Sequence, residues 1–162
     1  MQYGGPVDGL NDAEIRDILL RTRRVALVGA SANPARPSFG VMGFLVRSGY
    51  AVTPVNPGLA GQQIQQCRVV ADLDEASRIG ALDMVDIFRA PEHVGPVVEA
   101  AIRLGARTVW MQLGVINEPA AALARAAGLL VVMDRCPAIE WPRLGLDARM
   151  RVLDDDSGER HI

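Results

Sequence analysis

Lysine is absent from this 162-residue chain, and all 17 of its basic residues are arginine. That excludes chemistry needing a lysine amine: a Schiff base, a pyridoxal phosphate anchor or the lysine of a phosphate-binding P-loop. Cysteine and histidine are scarce as well. Cys67 and Cys136 lie far apart with no CxxC spacing, and His93 and His161 complete no zinc pattern with them, so neither a disulfide framework nor a structural metal is expected. Aromatic residues make up 4% of the chain, too few for the stacking platforms of single-stranded nucleic-acid binders. A formal charge of minus two supplies no continuous basic track for a phosphate backbone. There is no basic-then-apolar leader, and no apolar run approaches the ~20 residues that span a bilayer. The expected location is the cytoplasm, with no nucleic acid and no membrane as partner.

What is present is an ordinary globular composition, 49% hydrophobic and 22% charged. At this length one domain is expected, burying about two-thirds of its unfolded surface. Short apolar runs alternate with helical periodicity. Asn11 and Glu14 have the spacing of a capping box, with Ile15, Ile18 and Leu19 forming an apolar stripe that ends near Thr22. Residues 25–28 read as a strand buried on both faces. Ser38 is a candidate cap for the next helix, Val41, Met42, Leu45 and Val46 its packed side, Gly40 and Gly43 points of close packing, and Gly49 its stop. Further strands are expected near 51–55, 84–88, 108–112 and 129–133, with a weaker one near 68–70. Pro96 suits a first helical position, and Asn117 and Gly128 bracket an alanine-rich helix. The pattern predicts an α/β fold, Rossmann-like and doubly wound, with a mostly parallel sheet and helices on both faces. Residues 1–22 would pack on it as an N-terminal helix, 23–146 would form the domain, and 147–162 would be a polar tail that frays in solvent.

Open parallel sheets bind ligands at the carboxyl ends of their strands. The first such end opens the loop GASANPARPSFG at 29–40, where a helix terminus, the hydroxyls of Ser31 and Ser38 and the charge of Arg36 suit a phosphate. The loop is not GxGxxG, and the same residues also fit an ordinary turn whose shape the prolines fix. A nicotinamide dinucleotide site carries an acidic residue about twenty positions beyond its glycine loop. Here no Asp or Glu occurs between Asp17 and Asp72, which favours a different nucleotide.

Five ordered blocks carry a resemblance: VALVGAS at 25–31, PVNP at 54–57, DIFRAP at 86–91, WMQLG at 110–114 and MDRCP at 133–137. From about Arg23 to Glu140 the chain resembles the small single-domain CoA-binding protein family, itself similar to the CoA-binding domain of the succinyl-CoA ligase alpha subunit. The resemblance implies that Gly29, Ala30, Ser31 and Ser38 contact the phosphates of coenzyme A. It implies that Thr53, Pro54 and Asn56 sit in the turn after the second strand. Asn56 stands where the ligase-like relatives carry a lysine, a loss for which Arg36 can compensate unless it is only a solvated loop residue. Phe88, Arg89 and Pro91 match a segment lining the path of the pantetheine arm, although Arg89 can also pair with Glu92. Gln112 and Gly114 end the next strand, where an amide can bond the ligand and glycine lets it approach.

Trp110 reads as core and Cys67 as structural. Cys136, beside Arg135, reads either as a packed thiol or as a partner for the CoA thiol in a mixed disulfide. His93 is a cleft-side histidine with no triad around it, and no catalytic residue is assigned. The ligase relatives place their phosphorylated histidine in a second domain, so no ligase activity is carried over. The expectation is a protein that binds CoA or acyl-CoA as a carrier, sensor or partner module. The alternatives are an NAD(P)-binding redox sensor or oxidoreductase and a docking subunit of an acyl-CoA enzyme, and a homodimer is compatible with any of these.

Overall fold

The computed structural model describes residues 6–151. Five strands form a parallel sheet: β1 (Arg24–Val28), β2 (Ala51–Val55), β5 (Met84–Ile87), β6 (Thr108–Met111) and β7 (Leu130–Val132). A two-stranded hairpin, β3 (Gln63–Ile64) and β4 (Cys67–Arg68), lies outside it. The sheet order is β2-β1-β5-β6-β7, so the chain works outward from β1 in both directions. This is the doubly wound α/β architecture expected from the alternating pattern.

Alternation along each strand divides the interior into two layers. Ala26, Val28, Val85, Ile87 and Val109 face α3 (Leu73–Ile79), α4 (Val94–Arg103) and α5 (Glu118–Ala126). Val25, Leu27, Met84, Trp110 and Val132 face α1 (Asp12–Arg21), α2 (Pro37–Arg47) and α6 (Pro137–Arg143). Burying each of the valine, leucine, isoleucine and methionine side chains contributes about 1.5–3 kcal/mol, and only parallel strands covered on both sides bury both sets.

The expected punctuation is partly observed. The Asn11 side chain accepts from the Glu14 N–H and the Glu14 carboxylate accepts from the Asn11 N–H, completing the capping box. Asn117 caps α5. Ser38, in contrast, is not the cap of α2: Arg36 holds that position, Pro37 occupies the first turn and Ser38 follows it, buried. Proline with its fixed φ takes the entry position because it needs no N–H there. The same logic misplaces Pro96, since the helix starts at Val94, after the short turn Pro91–His93. Val46 is exposed rather than packed. Gly43 admits the hairpin, because a Cβ there would meet the Gln65 side chain, whereas space is open at Gly40. Of the expected strand near 68–70 only Arg68 belongs to that hairpin, whose turn holds Gln65 and Gln66 in the left-handed region at φ 47° and 70°, while Val70 makes an isolated parallel bridge to Val55.

The start of the supposed solvated tail is docked. Arg151 is buried, donates to the carbonyls of Ser48 and Thr22, and stacks 4.1 Å from the centroid of the Tyr50 ring. Residues 152–162, with Asp154, Asp155, Asp156 and His161, lie outside the described residues.

Candidate functional site

The strand order reverses between β1 and β5, and the ends of these two strands open a crevice between the loops that leave in opposite directions. Gly29, at φ 90°, makes the crevice narrow at its base, because any Cβ at this position would collide with the Phe88 carbonyl. Only glycine satisfies both the backbone angle and the approach.

Two clefts meet here, sharing Gly29, Asn56 and Arg89 in their walls. The first, of about 440 Å³, lies on the α3/α4 side and is walled by Val28, Val55, Leu73 and Val97, with His93 and Asp72 among its polar groups. The second, of about 670 Å³, lies on the α2 side and gathers Ser31, Arg36, Ser38, Phe88, Gln112 and Cys136. Of the residues expected at the site, these two clefts therefore collect Gly29, Ala30, Ser31, Arg36, Ser38, Asn56, Phe88, Arg89, Gln112 and Cys136.

Four others fall outside the walls. Thr53 and Pro54 are inside β2 rather than in a turn after it, paired with Ala26 and Leu27. Proline is tolerated there because β2 is an edge strand. Pro91 lends its carbonyl to Asn117, and the Gly114 N–H donates to Asp134 at 2.8 Å. These residues hold the loops in place.

Hydrogen bonding decides which cleft groups are free. The amides of Gly29 and Ala30 both donate to the Val55 carbonyl, at 3.1 and 3.3 Å, so they tie β1 to β2 instead of facing the cleft. Among the described residues the amides of Ser31 and Ser38 have no partner, and Pro37 has no N–H to offer. Ser31 Oγ accepts from the Asn33 amide, leaving its hydroxyl proton to donate outward. Asn56 is engaged at both ends of its amide: its Nδ2 donates to the Ala30 carbonyl and its Oδ1 accepts from the Gly58 amide. It fastens the two loops together. Arg36 and Arg89 are exposed and have no carboxylate partner among the described residues, so Arg89 does not pair with Glu92.

The acidic groups near the crevice, Asp72 and Asp74, each already accept hydrogen bonds. Asp72 caps α3 by accepting from the Glu75 amide, and Asp74 is held bidentate by Arg103 at 2.9 and 3.0 Å. The pairing with Arg103 keeps the Asp74 carboxyl below its usual range. Asn56 occupies the strand end where a ribose-binding acid would sit.

Two buried polar groups on the α2 side lack partners. Gln112 is buried in the wall of the second cleft with Oε1 unbonded. Asp86 is wholly buried with neither carboxylate oxygen bonded, and burial pushes its carboxyl well above the ordinary range. Asp86 precedes Phe88 by two positions and so faces the same side, beneath the second cleft. Within the DIFRAP block nothing distinguishes a buried acid from a strand-end acid, and sequence reasoning missed it.

Residues 23–142 match the family described as CoA binding domain. The chain belongs to the CoA-binding domain family. This CoA-binding domain is 36% identical over 124 residues to the uncharacterized protein YneT of Bacillus subtilis (strain 168), covering 76% of this chain and 89% of that one. A hypothetical protein from Pyrococcus horikoshii OT3 has the same fold, with TM-score 0.81, 38% identity and coverage of 89% of this chain and 99% of its own. A structure from Thermus thermophilus aligns with TM-score 0.78 and 32% identity, over 83% of this chain and 99% of its own.

In this CoA-binding domain Cys136 caps the start of α6 and is a buried residue in the wall of the second cleft. The Arg135 guanidinium does not lend it a free positive charge. It donates to Asp8 at 2.9 and 3.0 Å and to Glu140 at 2.7 Å, and is neutralised there. Trp110 is core as expected, wholly buried with its Nε1 donating to the Arg135 carbonyl. Cys67 is half-buried, and burial pushes its thiol up. Among the described residues no cluster of metal-ligating side chains forms, and no helix is long and apolar enough to cross a membrane.

Proposed function

We propose that this domain binds coenzyme A or an acyl-CoA noncovalently in the joined clefts and acts in the cytoplasm as a carrier, sensor or partner module, without ligase chemistry of its own. The observation that carries the reading is the set of unsatisfied groups around one crevice. Two unpaired guanidinium groups, the free Ser31 and Ser38 amides and the orphaned Gln112 oxygen all border it. Coenzyme A offers a matching set: phosphates for the cations and amides, an adenine for the apolar first cleft, and pantetheine amides that can donate to Gln112. Guanidinium pairs with phosphate through charge-assisted, geometrically specific bonds. A nicotinamide dinucleotide would need a carboxylate for its ribose diol at the end of the second strand, where this chain carries Asn56.

Titration calorimetry on ligand-free protein tests this. Coenzyme A is expected to saturate one site per chain, and Arg36→Ala or Arg89→Ala to weaken it roughly tenfold or more, the worth of one charged hydrogen bond. Saturation by NADH with no heat from coenzyme A overturns the reading in favour of a redox sensor or oxidoreductase. A CoA-silent protein that co-purifies with an acyl-CoA enzyme would instead be a docking subunit.

Cys136 lines the second cleft, and we propose that it meets the pantetheine thiol there. Its thiolate would attack CoA disulfide, forming a mixed disulfide with one CoA and releasing the other as thiol. Treatment with CoA disulfide is expected to add one CoA-sized mass that Cys136→Ser abolishes. A mass unchanged in the native protein removes this role.

A further inference from the structure

Beyond Cys136 the second cleft does not end in a closed wall. A third cavity of about 290 Å³ adjoins it, sharing Leu113 and Cys136 in its lining. Its other walls include Val7, Met133 and Ile139. Three of these apolar side chains are open to solvent at a position where a soluble surface has no use for them: Val7 is 44%, Leu113 55% and Ile139 51% exposed. They come from the N-terminal segment, the loop after β6 and α6, and they converge on one hollow.

The charged residues around this hollow are already spent. Asp134 accepts from the Gly114 amide. Arg135 is bound by Asp8 and Glu140, and Glu140 also accepts from Arg143. Among the described residues the hollow has acidic neighbours and no cation left to receive another negative charge. What it offers an occupant is hydrocarbon.

Resting on the coenzyme A reading, we propose that this cavity is an acyl subsite and that the favoured ligand is the thioester of an uncharged, short-to-medium aliphatic acid rather than of a dicarboxylic acid. A thioester whose sulfur lies near Cys136 would direct its acyl chain between Leu113 and Ile139. A terminal carboxylate carried there would meet Asp134 and Glu140 without a compensating charge.

The test compares coenzyme A, butyryl-CoA, hexanoyl-CoA and succinyl-CoA by titration on the full chain. Each methylene that leaves water is expected to tighten binding about fourfold, so hexanoyl-CoA binds at least tenfold tighter than coenzyme A. Succinyl-CoA gains nothing over coenzyme A. Val7→Asp and Ile139→Asp, both at exposed positions, are expected to erase the gain from the chain while leaving the affinity for coenzyme A itself unchanged. Coenzyme A binding with no gain from the acyl chain, or with succinyl-CoA the tightest ligand, overturns the acyl subsite alone. No binding by any of the four overturns the coenzyme A reading on which it rests.

Discussion

Asp86 is the residue most at odds with its surroundings. It sits in the middle of the central strand, paired in register with Leu27 on one side and Trp110 on the other, with no donor for either oxygen. A charged carboxylate there would carry a desolvation penalty of several kcal/mol with nothing to offset it. Burial therefore holds it in the neutral acid form. The native state keeps a proton that the unfolded chain releases above its ordinary value of about 3.9. Where the unfolded state binds fewer protons, stability falls as pH rises, at up to about 1.4 kcal/mol per pH unit for one group. This loss begins as pH climbs past the unfolded value and continues up to the raised native one. Asp86→Asn keeps the shape and removes the titration. Urea unfolding between pH 5 and pH 8 is expected to show the native protein losing stability relative to the variant as pH increases. Parallel profiles for the two proteins would mean that Asp86 does not change its protonation on unfolding in that range.

At the scale of elements, the parts legible in the sequence were those fixed by neighbours in the chain. The Asn11–Glu14 cap, the five sheet strands and the Asn117 cap depend on residues a few positions apart. The cleft residues Ser31, Phe88 and Gln112 were legible because strand ends in a parallel sheet share one edge. The docking of the N-terminal segment on α6 was not, because Asp8 and Arg135 are 127 positions apart and neither looks unusual locally. Asp8 has no exposed side-chain surface and accepts from Arg135, from the Leu10 amide and from the Met133 amide. The chain of charge continues through Glu140 to Arg143 and Asp12, fastening α1 to α6. Burial alone would raise the Asp8 carboxyl, but the bonds from Arg135 and the two amides outweigh it and hold it low. At Glu140 burial is likewise outweighed, by Arg143 and Arg135. Groups lowered in the native state contribute stability that is present above their unfolded values of about 4 and lost as pH falls through the native ones. Asp8→Ala leaves Arg135 with two of its four hydrogen bonds and is expected to cost about 3 kcal/mol near neutral pH. The variant should also lose less stability than the native protein on acidification below pH ~4. A cost under about 0.5 kcal/mol in chemical denaturation would mean that the segment contributes nothing to the fold.

For the whole molecule, the winding of the chain outward from β1 sets the crevice between two layers that share no helix. The α3/α4/α5 layer forms one wall and the α1/α2/α6 layer the other. A ligand occupying both clefts would bridge the layers through Arg89 and the loops after β1, β5 and β6, so its binding energy bears on the cooperativity of the entire domain. Binding restricted to the folded state adds about 2.7 kcal/mol at a ligand concentration one hundred times the dissociation constant. For a chain of this size each kcal/mol raises the unfolding midpoint by roughly 2–4 °C. Coenzyme A at that excess is therefore expected to raise the midpoint by roughly 5–10 °C, with NAD at equal concentration leaving it in place. Phosphate recognition by the exposed guanidinium groups of Arg36 and Arg89 makes part of this gain sensitive to salt. The shift should shrink as sodium chloride rises from 0.05 to 0.5 M in the native protein, and shrink less in the Arg36→Ala, Arg89→Ala double variant. A shift of equal size with NAD, or one indifferent to salt in both proteins, would separate the stabilisation from phosphate binding at the crevice.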